Sequence, residues 1–252
     1  MKRPSSSHAA SVGGQEPKRV KQTSACRELG GKPSYRGGSP KKGPAAEVLR
    51  GREPLPKRDS RGRLHFPDHP EFLPNLTPAQ ILQSGSFGGT YFRPIDSGTT
   101  GEREEEAWKE FPAAWFKGLD IPTQVTRSWS SYDVHVNKYG VKCGGTLDMW
   151  ESSGWISAID PYGWFHWYCR FFLGRRSTDD DRQIARWSGV ASAKGRFRNQ
   201  LIRKCVKART TFDDVRVSPV IRQTLLHWAY ELTQADADEF IEEKKLLPLK
   251  QK

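Results

Sequence analysis

Two groups of basic residues in the second half of the chain have spacings at which side chains can act together. In DPYGWFHWYCRFFLGRRS, residues 160–177, His166 and Arg170 stand four apart and so share a helix face, and Arg175 and Arg176 follow at its end. In AKGRFRNQLIRKCVKA, residues 193–208, Arg196, Arg203 and Lys207 are spaced by seven and four, with Lys194 and Arg198 beside them. Rows of Lys and Arg give sequence-independent affinity for phosphates, and the adjoining Asn199 and Gln200 carry amides that can reach base edges. The chemistry expected is therefore nucleic-acid binding through Arg170, Arg175, Arg176, Lys194, Arg196, Arg198, Arg203 and Lys207. The plainer alternatives are a solvated helix face for the second group and internal pairing of Arg170 with acids earlier in the chain.

Other chemistries have thinner support. The turn GSFGGT, residues 85–90, together with His166, Arg170 and a carboxylate, could line the pocket of an enzyme; it lacks the GK[ST] ending of a phosphate loop and a GxGxxG spacing, which favours a plain tight turn over an anion-binding loop. Asp148 and Glu151, or Asp133 with His135, could act as general acids or bases, yet no nucleophile motif accompanies them, so no reaction follows. His65 and His69 are separated by Pro67, and the His166-x-x-Cys169 pair stands alone, so neither a metal nor a cofactor is expected. A protein-interaction module, in which the acidic run Glu102–Glu110 and the basic helix meet complementary partners, is the third class.

The distribution of charge narrows these choices. Residues 1–63 hold 16 basic and 5 acidic side chains, whereas residues 64–252 hold 25 and 24, so nearly all of the net +12 belongs to the N-terminal quarter. Residues 170–209 form a second, local concentration, with 12 basic against 3 acidic. The first 63 residues contain one aromatic, Tyr35, and are rich in Gly, Pro and Ser, which predicts a disordered basic tail unable to bury enough apolar area to offset its backbone entropy. Within it PKRVK places Lys18, Arg19 and Lys21 in a nuclear-localisation pattern, predicting a nuclear import receptor as partner and the nucleus as destination. A mean hydropathy of -0.74 and the lack of an apolar run near the ~18 residues of a membrane span predict a soluble protein with no membrane partner. Four scattered cysteines and no secretory signal predict reduced thiols.

The elements that must position these groups are mostly helices. Thr77-Pro78-Ala79-Gln80 predicts a capped helix over about 78–83. YDVHVNKYG followed by VKCGGT suggests a hairpin, and GEREEEAWKEF an acidic helix closed by Pro112. Asp160-Pro161 predicts a helix to about Leu173, on which Trp164, Phe165, Trp167, Tyr168, Phe171 and Phe172 fall within an arc of about 160°. An apolar face that broad is expected inside the core, not exposed as a stacking platform. Acidic residues 179–181, the Phe197–Val206 stripe, Ser218-Pro219 and Thr233 open or mark four further helices. The fold expected is mainly α with a minor β element (α+β), its helical C-terminal half wrapped around an aromatic-rich core. The domains expected are a tail over 1–63, a globular domain over 64–235 and a charged C-terminal helix or extension over 236–252.

At DPYGWFHWYCRFFLGRRSTDDDRQIARW, SPVIRQTLLHWAYELT and GSFGGTYFRPI, residues 160–187, 218–233 and 85–95, the chain resembles an uncharacterised family of proteins from fungi, algae and related eukaryotes. The resemblance spans about residues 64–233. It implies a discrete domain and carries over no activity, cofactor or catalytic residue.

Overall fold

A computed structural model describes residues 42–49 and 51–250. The localisation cluster Lys18, Arg19 and Lys21 lies outside them. The chain is mainly helical with two small antiparallel sheets. The sheets pair β1 (Lys57–Arg58) with β2 (Leu64–His65) and β3 (Ile95–Asp96) with β4 (Arg103–Glu104). The helices are α1 (Pro78–Gln83), α2 (Ile121–Gln124), α3 (Leu147–Ser152), α4 (Trp164–Phe172), α5 (Asp180–Ala191), α6 (Arg196–Ala208), α7 (Pro219–His227) and α8 (Gln234–Glu243). Among the described residues no helix is long and apolar enough to cross a membrane.

The aromatic helix is the centre of the molecule. Seven of the nine residues of α4 are buried, Trp167, Tyr168, Cys169 and Phe171 completely. Phe72 is their common neighbour: its ring meets those of Trp167, Tyr168, Phe171 and Trp187 at 5.0–5.8 Å between centroids, so α4 and α5 close on one side chain from the loop before α1. The indole and phenol hydrogens inside this core find acceptors. Trp167 Nε1 donates to Asp180 Oδ1 at 2.8 Å, and Tyr168 Oη donates to the Leu76 carbonyl at 2.7 Å. The rings are therefore buried without leaving these two donors unpaired.

Several elements begin elsewhere than the local signals place them. α4 starts at Trp164, capped by Gly163 with φ 87°, and Asp160 serves a different purpose: wholly buried, it binds Arg170 and Arg175. The expected hairpin over 132–146 gives a 3₁₀ turn at Val134–Val136, where the His135 amide donates to the Asp133 carboxylate at 2.9 Å. Without a partner strand the alternation of side chains there has no ladder to select it. The acidic segment gives β4 and a 3₁₀ turn at Ala107–Glu110 instead of an α-helix.

The two ends join the domain more closely than composition predicts. Residues 42–49 and 51–63, assigned by composition to the tail, run along the globular part. Leu49 N donates to the Arg176 carbonyl at 2.8 Å, and Glu53 N donates to that of Gly174 at 2.9 Å. A Cβ at Gly174 would lie 2.1 Å from the Glu53 carbonyl oxygen, so the glycine is what lets this strap approach. At the other end α8 buries Asp236, Ala237, Phe240 and Ile241 and packs on α6.

Candidate functional site

The eight basic residues expected to bind nucleic acid divide into two sets by what faces them. Arg170 pairs with Glu110 at 2.7 Å and Asp160 at 3.1 Å; Arg175 grips both oxygens of Asp160 at 2.7 Å. Arg176 reaches Asp68 at 2.5 Å and lies over the Phe171 ring, and Arg198 is buried with Asp236 at 3.2 Å. The acidic excess of residues 64–169 supplies three of these four partners. The other set, Lys194, Arg196, Arg203 and Lys207, is exposed, joined by Lys204 and Arg209. Among the described residues no carboxylate lies within ion-pair distance of Arg203, Lys204 or Lys207. α6 separates the two sets cleanly: Phe197, Arg198, Leu201, Ile202 and Cys205 face inward, and the exposed cations face out.

His166 belongs with the internal set. It is 1 % exposed, its Nε2 sits 2.6 Å from Glu110 Oε1, and burial lowers its pKa against the opposing pull of that carboxylate. Burial would raise the Glu110 carboxyl, but hydrogen bonds from His166 and Arg170 hold it at about 2. His166 and Arg170 therefore take no part in the cavity that the Gly85–Thr90 turn does line, and the pocket envisaged around all three is not formed. Most amides of that turn are already bonded, that of Gly85 to the Leu82 carbonyl at 3.1 Å. Gly88 N donates to Asn137 Oδ1 at 2.8 Å and Phe87 N to His227 Nε2 at 3.0 Å, while Gly89 N and Thr90 N bond within the turn.

The cavity holds about 550 Å³ and is assembled from segments far apart in the chain. Trp164 and Phe165 come from α4, Trp228 from the end of α7, Trp150 from α3, Trp155 from the loop after it, and Trp129 and Tyr132 from the 3₁₀ turn Trp129–Ser131 and its exit. Five of the nine tryptophans thus line one space. Trp164 and Trp228 are 4.6 Å apart, and Phe87 stacks on His227 at 4.0 Å, closing the base of the wall. No local pattern joins these residues, since only the packing of α4 against the loops brings them together.

Three arginines enter this aromatic space: Arg93, Arg186 and Arg196. Arg186 Nη1 donates to Gln183 Oε1 at 2.8 Å, and its guanidinium lies 5.7 Å from the Trp155 ring and 5.5 Å from that of Trp228. Arg93 Nη1 donates to the Thr90 carbonyl at 3.1 Å and lies 5.3 Å from the Trp129 ring. Among the described residues neither has a carboxylate within ion-pair distance. Burial, reinforced by the charge of Arg182, draws Arg186 down to about 10, and burial lowers Arg93 as well; both stay cationic at neutral pH.

The remaining polar groups of the wall are already committed. His227, which burial takes down to about 3, is neutral, and its Nε2 lone pair accepts from Phe87 N and Gln223 Nε2. Thr224 Oγ1 donates to the Val220 carbonyl at 2.8 Å, which leaves the Cys143 thiol, 3.1 Å away, as the donor to Thr224. Cys143 thus faces a hydroxyl acceptor instead of a base, and Glu151 is spent on Ser97 and Thr99. Such walls can hold and orient a ligand, with aromatic faces for a flat body and guanidinium groups for an anion. No protein-family model, curated protein or solved structure matches the chain.

Proposed function

We propose that the protein is a binding protein for a small, flat molecule that carries an anionic group. The observation that carries this is Arg186, a half-buried cation with only neutral hydrogen-bond partners inside an aromatic cavity. Taking a cation from water without a counter-charge is costly, and an anionic ligand offsets that cost through charge-assisted hydrogen bonds. The same walls disfavour a cationic ligand. Trp129, Tyr132, Trp155 and Trp228 already face the protein's own Arg93, Lys142 and Arg186 within 5.3–5.7 Å. With His227 and Cys143 engaged in the wall, the geometry favours binding over turnover.

The test is thermal stability in the presence of 2-naphthoate and of the neutral, isosteric 2-naphthamide. The carboxylate raises the melting temperature, the amide does not, and Arg186→Met removes the difference. Absence of stabilisation by any flat anion defeats the reading.

A second reading, nucleic-acid association, is favoured by the outward face of α6, where Arg203, Lys204 and Lys207 stand exposed without ion-pair partners among the described residues. Together with the basic residues 1–63 it provides phosphate affinity, and Lys18, Arg19 and Lys21 provide the route to the nucleus. Arg203→Glu with Lys207→Glu weakens oligonucleotide binding and flattens its salt dependence by about one unit for each phosphate that is no longer neutralised. An unchanged salt slope would assign all of the affinity to the tail. A reporter fusion carrying Lys18→Ala and Arg19→Ala loses nuclear accumulation, and unchanged accumulation removes the localisation signal.

A further inference from the structure

The cavity and the exposed row of α6 meet at one residue. Arg196 is at once part of the cavity lining and an exposed first residue of α6, so it stands on the rim. Inside, Arg186 and Val190 are one turn apart on α5, and both line the cavity. Gly195 fixes the join: a Cβ there would lie 2.6 Å from the Val190 carbonyl, so the start of α6 is seated directly against that turn. Outside, Arg203 follows Arg196 by about 10 Å along the same face and Lys207 by a further 6 Å or so, at ~1.5 Å of rise per residue. The cations thus run from the interior of an aromatic cavity, over its rim, and along a helix surface.

We propose that the cavity takes a nucleoside monophosphate unit at the end of a single-stranded nucleic acid. The base enters between the tryptophan and tyrosine walls, its phosphate meets Arg186 and Arg196, and the phosphates of the following nucleotides lie along Arg203 and Lys207. This rests on the cavity being a site for flat anions, and it adds what the flat body and the anion are. A free flat acid would leave the exposed row without a purpose, whereas a strand uses both features. Stacking on aromatic side chains is tolerant of base identity, because every base presents a π-face. The polar groups in the wall are already bonded to one another, as Cys143 is to Thr224 and His227 to Phe87 N and Gln223, so little discrimination between bases is expected.

The experiment uses the full chain and reads tryptophan fluorescence, with AMP, adenosine, inorganic phosphate, 2-naphthoate and 8-nucleotide oligo(dA) and oligo(dT) as probes. Expected are quenching by AMP at concentrations at least tenfold below those of adenosine or phosphate, and saturable quenching by both oligonucleotides. Arg186→Met removes the AMP response and the oligonucleotide quenching. Arg203→Glu with Lys207→Glu leaves AMP binding intact and weakens oligonucleotide binding at least tenfold. If 2-naphthoate binds and AMP does not, the nucleotide assignment is wrong while the flat-anion site stands; if neither binds, both fall. A double Glu variant that binds the oligonucleotides as tightly as the parent would place a free nucleotide, not a strand, in the cavity. Oligonucleotides bound without quenching, unaffected by Arg186→Met, would locate their binding in the tail and overturn the proposal.

Discussion

The backbone amide of Phe87 donates to Nε2 of His227, 140 residues away, at 3.0 Å, and the two rings stack at 4.0 Å. This joins the glycine turn at one wall of the cavity to α7 at the other and holds the imidazole neutral, since a proton on Nε2 would displace both donors.

Stability should therefore fall as pH is lowered below about 6.5, the ordinary value for histidine. Burial depresses the folded-state pKa of His227 to about 3 and lowers that of His166, so the unfolded chain takes up protons that the folded one refuses. The stabilisation is complete above pH 6.5 and is lost on acidification at up to about 1.4 kcal/mol per pH unit for each group. Urea unfolding at pH 7, 6 and 5 gives the slope, and His227→Asn should reduce it. A flat profile over this range would mean that both histidines charge freely in the folded state.

Asp160 exposes none of its surface and balances two guanidinium groups, Arg170 and Arg175. Asp160→Ala leaves both half-buried without that partner and is expected to cost about 3–5 kcal/mol, the usual penalty for breaking a buried pair. Arg203→Ala on the outer face of α6 should stay within about 0.5 kcal/mol of the parent. Denaturant midpoints of the two variants make the comparison, and equal midpoints would contradict the division of the basic residues into internal and surface sets.

Gly88 has φ 59°, and a Cβ there would lie 2.5 Å from the Tyr132 ring, whereas Gly101, φ 78°, has nothing within 4 Å. Gly101→Ala should lose only the left-handed backbone penalty, about 1–2 kcal/mol. Gly88→Ala should lose more, and because Tyr132 lines the cavity it should also shift the tryptophan emission. A Gly88→Ala protein with the stability and emission of Gly101→Ala would show that Tyr132 is not packed against the turn.

Arg186→Met exchanges a cation without a carboxylate partner for an apolar chain of similar length. If the arginine is kept for a ligand, the unliganded variant should melt at the same temperature or higher, by about 2–4 °C for each kcal/mol gained. A drop of that size would make Arg186 a structural residue and remove the support for the anion site.

The local signals in the chain determine where several of the helices begin and which side of them is apolar. The capping box at Thr77 and Gln80 is present in full, α5, α7 and α8 start where acidic, proline and threonine signals place them, the Phe197–Cys205 stripe of α6 faces inward, and the aromatic arc of α4 is buried. These features depend on residues within one or two turns of each other, so their physics is contained in the sequence window. Tertiary structure decided everything that depends on a distant partner. Whether a given arginine is exposed or neutralised depends on where Glu110, Asp160, Asp68 and Asp236 arrive, and Arg198 and Arg203, five residues apart on one helix, end with opposite fates. Residues 132–140 alternate like a strand but hold a 3₁₀ turn at Val134–Val136, because a strand needs a neighbour and none lies beside them among the described residues. The cavity is the extreme case, since Trp129, Trp150, Trp155, Trp164 and Trp228 share no spacing, and only the close packing of α4 with its surroundings makes them the walls of one space.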